Sequence, residues 1–330
     1  MKKLISIVIP AFNEEAVLDE LERRLQGVMA ANASYDFEVI IVENGSSDST
    51  FQKLMYMHFK DSRFKVVQLS RNFGYEGAIT AGLKYANGDA VVMMCADLQD
   101  PPEMVTQFIK KWEDGYEVVY AMIKKREGVS ALRKILYSNF YRVIHWLTND
   151  IIPENVSEFR LMDRSVYIIL NSMEERNRFI RGIVAWTGFK QTGISFERPP
   201  RFAGESKADF ATILSTAMNG IFSFSYLPLK LATIIGFVIS IASFTMIFIE
   251  LGLYLVYGRV VPGYYTTLII IFFLFGMLFV LFGIMGMYIG RIYDEVKQRP
   301  IYIVRKELGF DETTKTMQSG SSRGYGIDNA

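Results

Sequence analysis

Asp97, Gln99 and Asp100 stand together in Val91–Glu103, VVMMCADLQDPPE, where an apolar run passes straight into an acidic and amide cluster closed by two prolines. Oxygen ligands two residues apart at the end of a strand suit a hard cation, Mg2+ or Mn2+, holding a diphosphate. Pro101 and Pro102 suit the first turn of a following helix. The same residues would also serve as an acidic turn that caps that helix, so the cluster alone leaves both readings open.

The elements that must position this cluster are legible around it. An apolar run ending in polar residues describes a buried parallel strand, and open α/β sheets bind ligands beyond the carboxyl ends of such strands. Strands are expected at Leu4–Pro10, Phe37–Glu43, Phe64–Ser70, Ala90–Cys95 and Glu117–Met122. Helices are expected at Glu14–Met29 and near Val105–Trp112, with Ser46, Ser47 and Asp48 as caps for a helix between the second and third strands. The glycines of RNFGYEGAITAGLKYANGDA allow close helix packing. Repeated β-α units of this length imply a doubly wound, mainly parallel sheet. The first four strands end in Asn13 and Glu14, Glu43 and Asn44, Ser70 and Arg71, and Asp97 and Gln99, which together describe the rim of one crevice. No G-x-G-x-x-G follows the first strand and no P-loop is present, so phosphates would be held by a metal and basic side chains.

Composition excludes several other chemistries. Lys and Arg number 36 against 35 Asp and Glu, so no nucleic-acid footprint is present. Cys95 is the only cysteine, which excludes an internal disulfide and a cysteine-based zinc site. His58 and His145 are the only histidines and lie far apart, against a His-centred triad. The amino terminus, MKKLISIVIPAFNEE, is not read as a signal peptide, because its apolar run is short and an acidic pair follows.

Beyond the sheet the chain turns basic. KKREGVSALRKILYSNFYRVIHWLTN places Lys124, Lys125, Arg126, Arg133, Lys134 and Arg142 among aromatic and aliphatic residues. From Ala131 this is an amphipathic helix, either packed on the sheet or lying on a membrane with its arginines reaching phosphate groups. RFAGESK, Arg201–Lys207, is a basic glycine-containing loop, readable as a surface turn or as an anion-binding segment.

Two uncharged runs then follow, 231–249 and 260–290, each long enough to span a bilayer core. Pro262 and Gly263 in the short connector predict a hairpin. Arg201, Lys207 and Lys230 precede the pair and Arg291, Lys297, Arg299, Arg305 and Lys306 follow it, whereas the connector holds only Arg259. By the positive-inside rule both ends and the α/β domain are cytoplasmic. A buried helical pair in a soluble protein is the alternative. The expected organisation is an α/β domain over 1–206, an interfacial helix over 207–227, two membrane helices over 228–291 and a cytoplasmic tail over 292–330, disordered after Phe310. Residues alone thus predict a metal-dependent diphosphate site beside a bilayer.

IVIPAFNEE, VENGSSDST, LSRNFGYEGAITAGLKYANGDAVV, CADLQDPPE, FRLMDR, RFAGESK and GMYIGRIYDEVKQRPIYIV also resemble the family 2 glycosyltransferases that load sugars onto polyprenyl phosphate. That group includes the dolichyl-phosphate mannose synthases and the bacterial GtrB-type enzymes with two carboxy-terminal spans. The resemblance runs from Leu4 to about Val304. It implies a GT-A-like domain at the cytoplasmic face of a bacterial plasma membrane, and inverting transfer from a nucleotide diphosphate sugar, with a UDP-sugar favoured over a GDP-sugar. The acceptor it implies is polyprenyl phosphate, such as undecaprenyl phosphate, and the product a β-linked polyprenyl-phosphate sugar for modifying cell-envelope glycans.

The same resemblance implies residue roles. Pro10, Glu14, Glu43 and Asn44 would line the base and ribose pocket, and Asp97 and Gln99 would hold the metal with Cys95 and Ala96 lining the site. Arg126 and Arg133 would grip the acceptor phosphate, and Arg201 and Lys207, with Ser206, would close over the donor diphosphate. Arg160 would support the phosphate cluster, and Asp163 would order its own segment. The departures are specific: Cys95 stands where the family has the first Asp of D-A-D, Asn44 where it has Asp, Ser157-Glu158 where it has Gly-Asp, and Met287 where it has Glu. Two other functions compete. A catalytically silent nucleotide-sugar-binding scaffold would explain Cys95 and Asn44, whereas a processive synthase would need a Q-x-x-R-W motif that is absent. The glycine-rich second span and the interfacial helix suit packing between protomers, as in a homo-oligomer such as a tetramer.

Overall fold

A computed structural model describes residues 2–124, 156–199, 202, 225–257 and 263–310. Arg126, Arg133, Arg201, Ser206 and Lys207, the helix expected from Ala131, most of the interfacial segment and the tail beyond Phe310 lie outside the described residues. The described residues form two units: the α/β unit (2–124, 156–199, 202 and 300–310) and a helical unit (225–257 and 263–299).

In the α/β unit, β1 (Leu4–Ala11), β2 (Asp36–Glu43), β3 (Phe64–Leu69) and β4 (Ala90–Met93) are the expected parallel strands, joined by α1 (Leu18–Ala31), α2 (Thr50–Lys60) and α3 (Gly74–Tyr85). A 3-10 turn at Pro102–Met104 leads into α4 (Val105–Glu113). There follow β5 (Val118–Ile123), β6 (Val156–Asp163), α5 (Arg164–Ser172), α6 (Ile180–Trp186) and β7 (Gln191–Phe196). With β8 (Val304–Leu308) the sheet runs β7-β5-β6-β4-β1-β2-β3-β8, with β6 and β8 antiparallel to their neighbours. Helices cover β1 and β2, so their apolar runs are continuous: Ile5, Ile7, Val8, Ile9, Val39, Ile40 and Ile41 are all fully buried. Each such side chain contributes about 1.5–3 kcal/mol.

The chain moves outward from β1 through β2 to β3, and α3 then carries it back to β4 on the other side of β1. This reversal is the switch point at which open α/β sheets bind ligands. Pairing of β1 with β4 stops at Val8 and Met93, closing with the Met94 N–H to the Val8 carbonyl at 3.1 Å. Pro10 lies just beyond, on the side facing β4, so its missing N–H costs no ladder bond there and the two strands part.

Two glycines are fixed by close approach. A Cβ on Gly82 in α3 would lie 2.2 Å from Val8 Cγ1, so the helix rests directly on β1. Gly45, after β2, has φ +72° and its added Cβ would lie 2.5 Å from the Arg71 carbonyl carbon. Gly45→Ala is therefore expected to cost on the order of 2–3 kcal/mol in denaturant melts. Gly27→Ala, in α1 where an added Cβ meets nothing, should be neutral or stabilising by up to about 1 kcal/mol.

The expected first helix starts later than its apolar pattern suggests, at Leu18. Asn13 to Glu15 are instead held as a loop, with the Glu14 N–H donating to Thr50 Oγ1 at 2.9 Å and the Glu15 N–H to Asp48 at 3.3 Å. The segment expected as a tail supplies β8: Ser70 donates its N–H to the Ile303 carbonyl at 2.9 Å, and Tyr85 donates its hydroxyl to Glu307 at 2.5 Å. The Phe310 ring lies 4.8 Å from that of Tyr85.

The helical unit consists of α7 (Leu227–Tyr257) and α8 (Tyr264–Lys297). Tyr288 donates to the Ser225 carbonyl at 2.7 Å, and a Cβ on Gly236 would lie 3.8 Å from Leu281. Advancing along α7 thus retreats along α8, as in the expected hairpin. Stretches of 27 and 28 residues, Leu227–Leu253 and Ile270–Lys297, are long and apolar enough to cross a membrane. Large side chains such as Phe237, Phe248, Phe272 and Phe279 are exposed. Thr233, Thr245 and Thr267 return their hydroxyls to carbonyls one turn back.

Candidate active site

The acidic cluster follows β4 at the switch point. Leu98 adopts φ +58°, a left-handed conformation that costs a bulky residue on the order of 1–3 kcal/mol. Burial of its side chain in the core holds it there. The resulting turn lets Asp97 Oδ1 accept the Gln99 N–H at 3.1 Å. Asp100, fully buried, accepts the Cys95 N–H at 3.1 Å and the Ser157 hydroxyl at 3.2 Å, fastening the turn to β6. Gln99 donates its side-chain amide to the Pro199 carbonyl at 3.4 Å, which ties in the segment after β7.

Burial, and then the carboxylates of Asp100, Asp97 and Glu158, push the Cys95 thiol well up, so it stays protonated and neutral. Burial also pushes the Asp100 carboxyl up, against the pull of the Cys95 N–H and of Arg198. Asp100→Ala would strand two buried donors and is expected to cost about 2 kcal/mol in a melting experiment, with loss of activity from the loosened turn.

The opposite rim is built from the ends of β1 and β2. Asn13, left-handed at φ +56°, accepts the Ser47 N–H at 2.9 Å and donates its own N–H to Ser46 Oγ at 3.0 Å. Ser46 and Ser47 thus bond across to the β1 loop instead of capping α2 as expected, and Asp48 alone of the three bonds the helix start, accepting the Thr50 N–H at 3.0 Å. Glu43 is buried, with one oxygen accepting the Ser46 N–H and Oε2 without a hydrogen-bond partner among the described residues. Asn44 donates to Asn72 at 3.2 Å and to the Gly74 carbonyl at 3.0 Å, and accepts the Phe73 N–H at 2.9 Å, locking the end of β2 to the start of α3. Pro10, Glu14, Glu43 and Asn44 therefore share the rim formed by the ends of β1 and β2, and Cys95 to Gln99 follow β4 on the other side of the switch point.

A charged cluster reaches the same region from β6 and α6. Arg160, only 2% exposed, lies 3.6 Å from Glu158 and donates to the Ser157 carbonyl at 3.1 Å. Arg181 donates to Glu158 at 2.5 Å. Glu76, in the first turn of α3, accepts the Ile180 N–H at 3.3 Å, and burial followed by the like charge of Glu158 pushes its carboxyl up to about 8. Asp163 accepts the Ser165 N–H at 2.9 Å and Trp112 Nε1 at 2.8 Å, ordering the start of α5 as the sequence suggested. Tyr75, Glu76 and Arg198 were not singled out by the sequence. Tyr75 and Glu76 sit in a glycine-rich helix start that reads as a packing motif, and only spacing from the acidic cluster through folding brings them to it.

Asp97 and Gln99 offer the carboxylate and amide oxygens that a hard divalent cation prefers. Among the described residues no group of three His, Cys, Asp or Glu could hold an ion unaided. The donor set thus fits Mg2+ or Mn2+ bound jointly by the protein and a ligand's phosphate oxygens.

The model of Glycosyl transferase family 2 matches residues 6–169. An uncharacterized glycosyltransferase of Bacillus subtilis, YkcC, is 42% identical over 306 residues, 93% of this chain and 94% of its own. The SfII prophage-derived bactoprenol glucosyl transferase of Shigella flexneri is 36% identical over 302 residues, 92% of this chain and 97% of its own. Among solved structures, glucosyl-3-phosphoglycerate synthase from Mycobacterium tuberculosis has a TM-score of 0.47 at 16% identity, covering 67% of this chain and 78% of that one. The chain belongs to the family 2 glycosyltransferases. It is a glycosyltransferase built on a mixed α/β sheet, with two helices apolar enough for membrane association.

Proposed function

We propose that this enzyme transfers a sugar, glucose or N-acetylglucosamine, from a UDP-sugar to polyprenyl phosphate at the cytoplasmic face of a bacterial plasma membrane, with inversion. The observation that carries this reading is similarity to bactoprenol glucosyl transferases along nearly the whole chain, spans included. In the reaction a phosphate oxygen of the lipid attacks the anomeric carbon while the bond from that carbon to the UDP oxygen breaks. A phosphate monoester is already largely ionised near neutrality, with a second pKa of about 6, so no dedicated base is required. Rate enhancement then rests on positioning and on stabilising charge as it develops on the leaving diphosphate.

Asp97 and Gln99 would hold Mg2+ or Mn2+, which supplies charge neutralisation on that diphosphate. Arg198 lies close enough to Asp100 and Cys95 to favour their ionisation and adds positive charge beside the turn. Arg201 and Lys207 would close over the donor, and Arg126 and Arg133 would take the acceptor phosphate. Pro10, Glu14, Glu43 and Asn44 would line the nucleoside pocket. Added side-chain atoms at Gly276, Gly283, Gly286 and Gly290 would meet nothing, which leaves room on α8 for a neighbouring helix in a homo-oligomer.

The test is incubation of membranes carrying the enzyme with labelled UDP-glucose or UDP-N-acetylglucosamine, Mn2+ and polyprenyl phosphate. Label entering the organic-extractable lipid supports the reading, and nucleotide binding without transfer supports the silent scaffold instead.

A further inference from the structure

We propose that Tyr75, together with Glu158 and Arg181, reads the hydroxyl groups of the donor's sugar, making Tyr75 a specificity-determining residue of the transfer. This rests on the assignment of the chain as a nucleotide-sugar-dependent glycosyltransferase.

Tyr75 is the second residue of α3, and its hydroxyl is buried with no hydrogen-bond partner among the described residues. A buried hydroxyl left unpaired costs about 1–3 kcal/mol, so native proteins rarely keep one without a use. Glu158 Oε2 and Arg181 Nε are likewise buried without hydrogen-bond partners among the described residues, although Arg181 and Glu158 are joined through their other atoms and Arg160 lies 3.6 Å from that Glu158 oxygen. Tyr75 also lies within electrostatic reach of Glu158 on β6 and of Cys95 and Asp100 in the turn after β4.

One carboxylate acceptor, one guanidinium donor and one hydroxyl able to do both match adjacent hydroxyl groups on a sugar ring, each of which donates and accepts. The nucleoside positions, Glu14, Glu43 and Asn44, belong to the ends of β1 and β2.

The experiment uses the full-length protein in detergent with Mn2+, as wild type and as Tyr75→Phe. Affinities are measured for UDP and for each of UDP-glucose, UDP-galactose and UDP-N-acetylglucosamine. Tyr75→Phe is expected to weaken the UDP-sugar about tenfold, a lost hydrogen bond to a buried group. UDP affinity should stay within twofold, and discrimination among the three sugars should narrow. Thermal stability without ligand should hold or rise, because the variant removes an unpaired hydroxyl. Equal losses for UDP and UDP-sugar, no loss for either, or a clear drop in stability would each overturn the assignment. A wild-type protein that binds no nucleotide would instead remove the glycosyltransferase reading on which it rests.

Discussion

Asp97→Ala is expected to lower sugar transfer by about a thousandfold, the scale seen when a preorganised group opposite developing charge is removed. Asp97 is the one carboxylate in the 95–99 turn, and the next, Asp100, is buried and committed to the Cys95 N–H and the Ser157 hydroxyl. No neighbouring carboxylate in that turn could take over its part. Asp97→Asn should fall nearly as far, since the amide keeps the bond from the Gln99 N–H but not the charge. The measurement is labelled transfer to lipid across a range of Mn2+ concentrations, with melting temperature as control. Transfer within tenfold of wild type at saturating Mn2+ would remove Asp97 from the mechanism.

The second large effect concerns pH. Glu76 has its carboxyl pushed from 4.5 up to about 8, by burial first and then by Glu158. The folded state therefore holds a proton that the unfolded chain releases near pH 4.5. The stability this proton confers is complete below about pH 4.5 and is lost progressively as pH rises to about 8. Over that window the loss is on the order of a few kcal/mol. Glu76→Gln, which keeps a neutral side chain at all pH values, should flatten the slope and leave the protein more stable than wild type at pH above 8. Arg160 and Arg181 face the same carboxyl and limit the effect, so denaturant melts across pH are the direct check. Parallel slopes for the two proteins would refute the assignment.

The parallel half of the sheet was legible because burial on both faces writes itself as uninterrupted apolar sequence, as in LISIVIP and FEVIIVE. The polar ends of those strands mark the site for the same reason: the core stops there. β6 was not legible as a strand. Its sequence, VSEFRLMD, carries Glu158 and Arg160 inside a buried strand, where the two pair with each other and Arg181 from α6 adds a second cation to Glu158. β8, VRKEL, has three charges in five residues because it is an edge strand, and reads as tail. Asn44 and Gln99 were read for their chemistry, yet both also hold loops: Asn44 bonds the start of α3 and Gln99 the Pro199 carbonyl. Such partners lie dozens of residues away and leave no local signature.

The place of β8 has a consequence for biosynthesis. This strand follows both apolar helices in the chain, yet it covers the free edge of β3. A ribosome must therefore deliver both hydrophobic segments before the catalytic sheet can be finished. Until then β3 presents bare N–H and carbonyl groups, the kind of edge that recruits other chains. Completion of the sheet is thus coupled to synthesis of both apolar helices, and a product halted after the second helix would be prone to aggregate even with every residue of its acidic turn in place.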